Sequence, residues 1–269
     1  MDRKLHFEYL TPEEIHRETE GESLIFLPVG SMEWHGPHMG MGMDTCNAYS
    51  TSLATAEKTG GVVFPPLFIG TETPRSPETL RKVGFTGNEK ITGMDFPKNT
   101  VRSMYWEPEL FERIIRFQLE KLCDTGFRRI VIMNGHGADE QVRILDRLSE
   151  EMSHERNVQM RVILTLFEDC GYGVGHAGLV ETAIMYYLHP EAVELEQLPD
   201  RSVKLKNTRF AIVDNETFLK GGNEDYTVRY DPRDATPEIG RQIFLHDVSR
   251  CEEIVEDFLH DGQDIRENS

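Results

Sequence analysis

Cysteines and long apolar runs are scarce in this sequence. The four cysteines among 269 residues show no paired C-x-x-C spacing, and a chain of this length needs no disulfide to stabilise its core. The longest apolar runs, such as LIFLPV and RIVIM, fall far short of the roughly 20 residues that cross a bilayer. The first ten residues also lack the apolar stretch of a secretion signal. We therefore expect a protein of the reducing cytoplasm that does not insert into a membrane.

Positive charge is also in short supply. Lysine and arginine number 29 against 47 aspartates and glutamates, which gives a formal net charge of -18. No run of basic residues interrupts this acidic balance, so we expect the surface to repel nucleic acids and anionic membranes. Small neutral or cationic molecules and metal ions remain as expected partners.

Short apolar runs alternate with helical patterns along the chain. The runs predict buried strands at residues 23–29, 62–64, 129–133 and 159–167, and the segments between them predict helices at residues 45–58, 108–123, 139–153 and 179–188. Thr11, Pro12 and Glu14 form the start signal of a further short helix that ends near Glu20. Strands that alternate with helices predict an α/β fold, with a mainly parallel sheet covered on both faces.

Two regions depart from this alternation. Residues 67–105 are rich in threonine, glycine and proline without a clear period, which predicts a long excursion of loop or short hairpins that covers a site. Residues 198–232 contain one predicted strand, at 206–213, before a last helix begins at Thr236 and runs to about His260. Because there is no internal repeat or linker, we predict a single domain over residues 1–269 with a frayed polar tail.

Histidines and acids concentrate in the loops that follow three predicted strands. In an open parallel sheet, these loops lie together at the carboxyl ends of the strands, where ligands bind. They carry, in chain order, Glu33, His35, His38 and Asp44, then His136, then His176 followed by Glu181. Glu33 and His35 are two residues apart, so in an extended segment both side chains point to the same side. The side chains can therefore converge on one metal centre or on two adjacent ones.

Other interpretations of these loops stay open. A single histidine at a strand end is commonly a hydrogen-bonded structural residue, and His38 is as well suited to bracing its loop as to supporting a metal ligand. Residues 173–178 also match G-x-G-x-x-G, the dinucleotide-binding pattern. However, the first glycine lies several residues beyond the strand, and the acid expected about 20 residues later has no convincing strand before it. Three histidine-bearing loops at strand ends favour a metal site.

The segments GSMEWHGPHMGMGMD, NGHG and HAGLVET resemble signature blocks of the creatininase family of metal-dependent hydrolases. DPRDATPEIG, at residues 231–240, is similar to a late block of the same family. The resemblance implies a three-layer α/β/α sandwich and a homo-oligomer, commonly a hexamer. It also implies that Glu33, His35, Asp44 and His136 are metal ligands, with Asp44 as the bridge between two ions.

Departures from the family pattern concern the second ion and the substrate. Creatininase carries a carboxylate two residues after the histidine of the NGH block, where this chain has Ala138, so we expect Glu181 to supply the missing ligand. The alternatives for Glu181 are a role as acid or base, or only as an acid at a helix N-terminus. Tyr172 replaces a tryptophan and Trp34 stands where many relatives carry glutamine, so we expect both to contact a substrate other than creatinine.

The predicted ligands are nitrogen and oxygen atoms without thiolate, which suits two divalent ions of zinc, manganese or iron. Two such ions lower the pKa of a shared water and polarise a carbonyl group. We therefore predict a hydrolase in which a hydroxide between the ions attacks a small linear or cyclic amide, His176 carries a proton to the leaving group, and the C–N bond breaks. The second hypothesis is hydrolytic ring opening of an oxidised inositol, with residues 93–99 shaping a polyol pocket. The third is a metal- or nucleotide-binding regulator without turnover.

Overall fold

The computed structural model describes residues 3–82, 85–97, 99–203, 205 and 231–261. In this part of the chain one sheet contains the strands β1 (Leu24–Gly30), β2 (Val62–Val63), β3 (Leu67–Phe68), β4 (Arg129–Asn134) and β5 (Gln159–Leu164). The strand order is β2-β1-β4-β5, β3 also pairs with β1, and every pairing is parallel. The predicted parallel sheet is confirmed, although β5 ends three residues earlier than the apolar run suggests.

The helices of the described residues are α1 (Pro12–Glu20), α2 (Met43–Thr59), α3 (Pro77–Lys82), α4 (Pro108–Thr125), α5 (Asp139–Arg156), α6 (Leu179–Leu188) and α7 (Pro237–Asp261). Their ends follow the local signals in the sequence. Thr11 and Glu14 form the predicted capping box of α1, with the Thr11 side chain accepting from the Glu14 N–H at 3.3 Å. Asn157 adopts the left-handed conformation that ends α5.

The sheet lies between two layers of helices because its strand residues alternate between two apolar faces. Ile25 and Ile130 belong to the face that packs against α4 and α5. Phe26 and Val131 belong to the other face, which packs against α2 and α7. The adjacent residues of each strand are thus buried on opposite sides, as a sheet with helices on both faces requires. The three-layer α/β/α fold that the family resemblance implies is confirmed.

The excursion at residues 67–105 is more regular than predicted. It contains β3 and α3, and it is closed by isolated bridges between Thr71 and Trp106 and between Pro74 and Thr92. Its buried side chains, among them Leu80 and Phe96, join α6 in a third apolar cluster. The expectation of loop or hairpins alone was wrong for α3, because its six residues are too few to show a helical period.

Other expectations concern residues outside the described part of the chain or stay predictions. The predicted strand at 206–213 and the tail after residue 261 fall where the structure describes nothing. The extent of a single domain over residues 1–269 stays a prediction. Among the described helices, none combines the length and the apolar character needed to span a bilayer.

Candidate metal centre

The predicted metal-ligating side chains meet at the carboxyl ends of β1, β4 and β5. Asp44 lies in the first turn of α2, and His136 lies in the loop between β4 and α5. Gly135 allows these two segments to touch, because a Cβ at this position would be 1.9 Å from the main-chain oxygen of Asp44. Any other residue at position 135 would push the His136 loop away from Asp44.

The Asp44 carboxylate lies between two imidazoles. Its Oδ1 atom is 3.1 Å from His35 Nε2, and its Oδ2 atom is 3.1 Å from His136 Nδ1. Ser31 holds the carboxylate in place by donating to Oδ2 from its hydroxyl at 2.9 Å. Each oxygen of one buried carboxylate therefore faces a different histidine, which is the geometry that a carboxylate bridging two ions requires.

Two groups of three ligand atoms share Asp44. We call Glu33, Asp44 and His136 the first site, and His35, Asp44 and Glu181 the second site. The ligand atoms of each site lie within 4.8 Å of one another. In the first site Glu33 Oε2 is 3.4 Å from His136 Nδ1, and in the second site Glu181 Oε2 is 3.7 Å from His35 Nε2. Ligand atoms about 2.1 Å from a tetrahedral ion lie about 3.4 Å apart, so both sites have dimensions that suit a divalent ion.

The tautomer of His35 also fits a metal ligand. Its Nδ1 atom is 3.0 Å from the Glu33 carbonyl oxygen, so Nδ1 carries the proton and donates it. In the neutral imidazole the lone pair is then on Nε2, which is buried and makes no aligned hydrogen bond although Asp44 is near. A buried imidazole nitrogen whose lone pair faces three carboxylates is well suited to bind a cation.

His176 occupies the edge of the cluster. Its Nε2 atom donates to the carbonyl oxygen of Trp34 at 2.8 Å, which leaves the lone pair on Nδ1. Nδ1 lies 3.3 Å from Glu33 Oε2 and 4.0 Å from Glu181 Oε2. His176 also forms a third possible metal-holding group with Glu33 and His35. The side chain is 16% exposed and lines a cavity, so it can reach a bound molecule as well as the cluster.

Burial and mutual charge shift the pKa values of the cluster strongly. Burial would raise the pKa of Glu33, but the charges of His176 and His136 lower it to about 2. Burial would lower the pKa of His35, but the charge of Asp44 raises it to about 10. Burial lowers the pKa of His176 to about 4 and raises the pKa of Glu181 to about 7. The carboxylates thus stabilise positive charge in the cluster. Either protonated imidazoles or bound divalent ions can supply that charge.

Two side chains that were not predicted from the sequence hold the predicted ligands in place. The Tyr105 hydroxyl donates to Glu33 Oε1 and accepts from the main-chain N–H of Met94 at 3.0 Å. Asn134 Oδ1 accepts from the main-chain N–H of His136 at 3.1 Å. Asn134 could have been identified from its place in the NGHG segment, whereas Tyr105 is 72 residues from Glu33 and has no local signal.

The loop before α6 has a different role from the one that its glycines suggest. Its G-x-G-x-x-G pattern begins at residue 173, well after β5 ends at Leu164, and it contributes His176 to the cluster. Ala177 adopts a left-handed conformation, with φ of 45°, and its N–H donates to Glu181 Oε2. His38 braces the neighbouring loop, since its Nε2 atom is 2.9 Å from the Thr182 hydroxyl on α6.

A cavity of about 660 Å³ opens onto the cluster. Its described lining includes Glu33, Asp44, His136, His176 and Glu181, together with residues of the excursion. Neither Trp34 nor Tyr172 is among the described residues that line it, and Trp34 is only 6% exposed. Their predicted contact with substrate therefore stays a prediction, and the structure instead uses the carbonyl of Trp34 to orient His176.

Comparisons with known proteins agree with the fold and with the sequence blocks. The chain is 26% identical over 203 residues to the creatinine amidohydrolase of Pseudomonas putida, covering 68% of this chain and 71% of that protein. It is also 26% identical over 135 residues to the 3-dehydro-scyllo-inosose hydrolase of Thermotoga maritima, covering 50% of this chain and 37% of that protein.

A crystal structure of creatinine amidohydrolase superposes with a TM-score of 0.67 at 23% identity, covering 96% of this chain and 99% of the other. A manganese form of creatininase superposes with a TM-score of 0.68 at 23% identity, covering 95% and 99%. The family profile described as creatininase, creatinine amidohydrolase, matches residues 8–255. The chain therefore belongs to the creatininase family of metal-dependent hydrolases.

Proposed function

We propose that this protein uses two divalent ions to hydrolyse the C–N bond of a small linear or cyclic amide. The observation that carries the proposal is the position of Asp44, whose two carboxylate oxygens each face one histidine at 3.1 Å. A single ion would need only one of these oxygens. The pairing of both oxygens with separate imidazoles supports two ions that share one carboxylate.

Each ion would have three protein ligands. Glu33, Asp44 and His136 would hold one ion, and His35, Asp44 and Glu181 would hold the other. In this proposal Glu181 supplies the carboxylate that the chain lacks at Ala138. Zinc, manganese and iron all suit this set of imidazole and carboxylate ligands. When bound, such ions lower the pKa of water and polarise a substrate carbonyl.

His176 is the proposed proton carrier. Because the Trp34 carbonyl accepts its Nε2–H, the Nδ1 atom is the one that takes up a proton. Hydrolysis adds water to the carbonyl carbon and breaks the C–N bond, and the departing nitrogen needs one proton from that water. Nδ1 faces the cluster and the side chain lines the cavity, so His176 is placed to move this proton.

The proposal is tested by stripping and reloading the protein. The purified protein is treated with a chelator, reloaded with zinc, manganese or iron, and assayed with cyclic amides and formamides while its metal content is measured. We expect about two ions per chain at full activity and loss of turnover when the ions are removed. Turnover that survives complete metal removal would contradict the proposal, and two bound ions with no turnover of any substrate would indicate a regulator.

Ring opening of an oxidised inositol is the second candidate function. The cavity is lined by the side chains of Glu72, Thr73, Arg75, Ser76 and Thr79, which are polar or charged, and by Met94 from the segment at residues 93–99. One relative is named a 3-dehydro-scyllo-inosose hydrolase, and its substrate carries several hydroxyl groups. Adding inososes to the same assay separates the two functions, because only one of the two substrate classes should be turned over.

Assembly into a homo-oligomer, commonly a hexamer in the family, also remains a proposal. Light scattering of the purified protein measures the mass of the assembly. Dividing that mass by the chain mass of 30.9 kDa gives the number of subunits.

A further inference from the structure

The excursion at residues 67–105 contributes two charged side chains, Glu72 and Arg75, to the lining of the cavity, and we call this part of the lining the wall. Glu72 and Arg75 both line the cavity, and neither belongs to the metal cluster. Burial raises the pKa of Glu72, against the opposing charges of His136 and Arg75. The two side chains therefore act on each other and on the cluster, and together they add no net charge to the cavity.

Among the described residues, each of these side chains keeps one polar atom without a hydrogen-bond partner. Glu72 Oε1 accepts from the main-chain N–H of Thr73 at 2.8 Å. Arg75 donates from Nε to the Gly93 carbonyl and from Nη2 to Met94 Sδ at 2.8 Å. Within the described residues, no hydrogen bond engages Glu72 Oε2 or Arg75 Nη1. The wall thus offers one acceptor and one donor to a molecule in the cavity.

The turn at Gly93 fixes this wall relative to the metal cluster. Gly93 has a φ of 50°, and a Cβ there would lie 2.5 Å from both Glu72 Cγ and the Tyr105 hydroxyl oxygen. The next residue, Met94, donates its N–H to Tyr105, which in turn donates to Glu33. A short chain of contacts therefore connects Glu72 and Arg75 to a ligand of the first site.

The chemistry of the wall favours hydroxyl groups. A hydroxyl both donates and accepts hydrogen bonds, so neighbouring hydroxyls on a ring can satisfy a carboxylate and a guanidinium at the same time. Asp139 and Glu168 also line the cavity, so an anion would meet several carboxylates, and a cation placed against the wall would meet the like charge of Arg75. The described lining contains no phenylalanine, tyrosine or tryptophan, so it offers no such aromatic face on which a flat apolar ring could stack.

We infer that Glu72 and Arg75 form a subsite that binds the hydroxyl groups of a neutral, polyhydroxylated substrate while its reacting carbonyl faces the metal cluster. This inference rests on the proposed function only in assigning the cavity to the substrate. It holds whether the bond that breaks is C–N or C–C.

Calorimetric titration of the metal-loaded protein with myo-inositol tests the subsite, with metal content measured on the same samples. Cyclohexanone, which has a ring and a carbonyl but no hydroxyl group, is the matched ligand control. We expect myo-inositol to bind and cyclohexanone not to bind measurably. Glu72→Gln and Arg75→Met should each weaken myo-inositol binding about tenfold or more, since each removes a hydrogen bond to a charged group.

The control variant is Glu109→Gln, which removes an exposed carboxylate on α4 and should leave the affinity unchanged. Absence of myo-inositol binding, or equal affinity in Glu72→Gln and the wild type, would overturn the inference. Tighter binding of the guanidinium cation by Arg75→Met, or of acetate by Glu72→Gln, with no binding of myo-inositol, would overturn it as well. If myo-inositol does not bind to a protein that holds two ions and turns over its amide substrate, the subsite alone is refuted. If the protein binds no ions, the proposed function is refuted.

Discussion

The strand-end loops and the excursion contribute to the same cavity in different ways. The loops after β1 and β4, the first turn of α2 and the start of α6 supply every side chain of the two proposed sites, held by the edge of a parallel sheet. The excursion supplies Glu72 and Arg75 and the hydroxyl of Tyr105, held by turns and isolated bridges. The structure therefore separates the groups that would hold ions from the groups that would recognise the substrate.

This difference indicates which part of the molecule can change in sequence without disturbing the metal cluster. A proposed ligand on the sheet edge is fixed by the parallel register and by close contacts such as that between Gly135 and Asp44. A side chain of the excursion depends on a few turns that can be rebuilt without moving the sheet. We therefore expect the excursion, and not the metal cluster, to determine which substrate this protein accepts.

The largest expected effect comes from Asp44→Ala. Both sites share this carboxylate, so we expect the metal content to fall from about two ions per chain to nearly none, together with turnover. Elemental analysis and the amide assay measure the two quantities. Asp146→Ala, on the exposed side of α5, is the control. An active Asp44→Ala protein that retains two ions would remove the basis of the account.

Glu181→Ala should affect only the second site. Because Glu33, Asp44 and His136 remain, we expect about one ion per chain and turnover reduced by several orders of magnitude. Elemental analysis distinguishes this result from retention of two ions, which would mean that Glu181 is an acid or base and not a ligand. Glu150→Ala, an exposed residue of α5, is the matched control.

His176→Ala should separate proton transfer from metal binding. We expect both ions to stay bound while the rate falls by about 10²- to 10⁴-fold, the usual contribution of a general acid or base. His154→Ala, an exposed residue of α5, should change neither quantity. If His176→Ala loses an ion, the contact of Nδ1 with Glu33 at 3.3 Å reflects a shared metal and His176 becomes a ligand.

Tyr105→Phe tests whether the excursion supports the metal centre. The variant leaves Glu33 Oε1 without its hydroxyl donor, and loss of such a support commonly lowers metal affinity about 10- to 100-fold. Competition with a chelator measures the affinity, and full activity should return at saturating metal. Tyr9→Phe, at a side chain that is 65% exposed, is the control. Unchanged metal affinity would show that the two regions are independent.

Gly93→Ala should have the smallest effect on the ions and a measurable effect on stability. The added Cβ would overlap Glu72 and Tyr105, and the expected loss in the free energy of unfolding is about 1–3 kcal/mol. Denaturant unfolding measures this loss. Gly137→Ala is the control, because nothing lies within 4 Å of a Cβ at that position. Equal stability of both variants would show that the turn at Gly93 does not fix the wall.

Sequence patterns predicted the strands and the side chains that follow them, because both depend on local features of the chain. Apolar runs and turn residues identify β1 and β4, and the predicted ligands follow these strands at positions that the parallel order brings together. Gly93 and Tyr105 could not be found in this way. Their contacts join distant parts of an aperiodic segment, and nothing in the neighbouring residues indicates them.

The choice of Glu181 as the substitute for a missing carboxylate also depends on tertiary structure. Its spacing from His176 predicts only a position near the start of α6. The structure adds that its Oε2 atom lies 3.7 Å from His35 Nε2. The predicted contacts of Trp34 and Tyr172 rested on their replacing aromatic or polar residues of relatives, and such a replacement does not establish that a side chain faces the cavity.

The most direct test of the shared Asp44 carboxylate is anomalous X-ray diffraction from crystals of the manganese-loaded protein. We predict two anomalous peaks about 3.5–4 Å apart, one beside Asp44 Oδ1 near His35 and Glu181, the other beside Oδ2 near Glu33 and His136. A single peak, or peaks that do not flank Asp44, would contradict it.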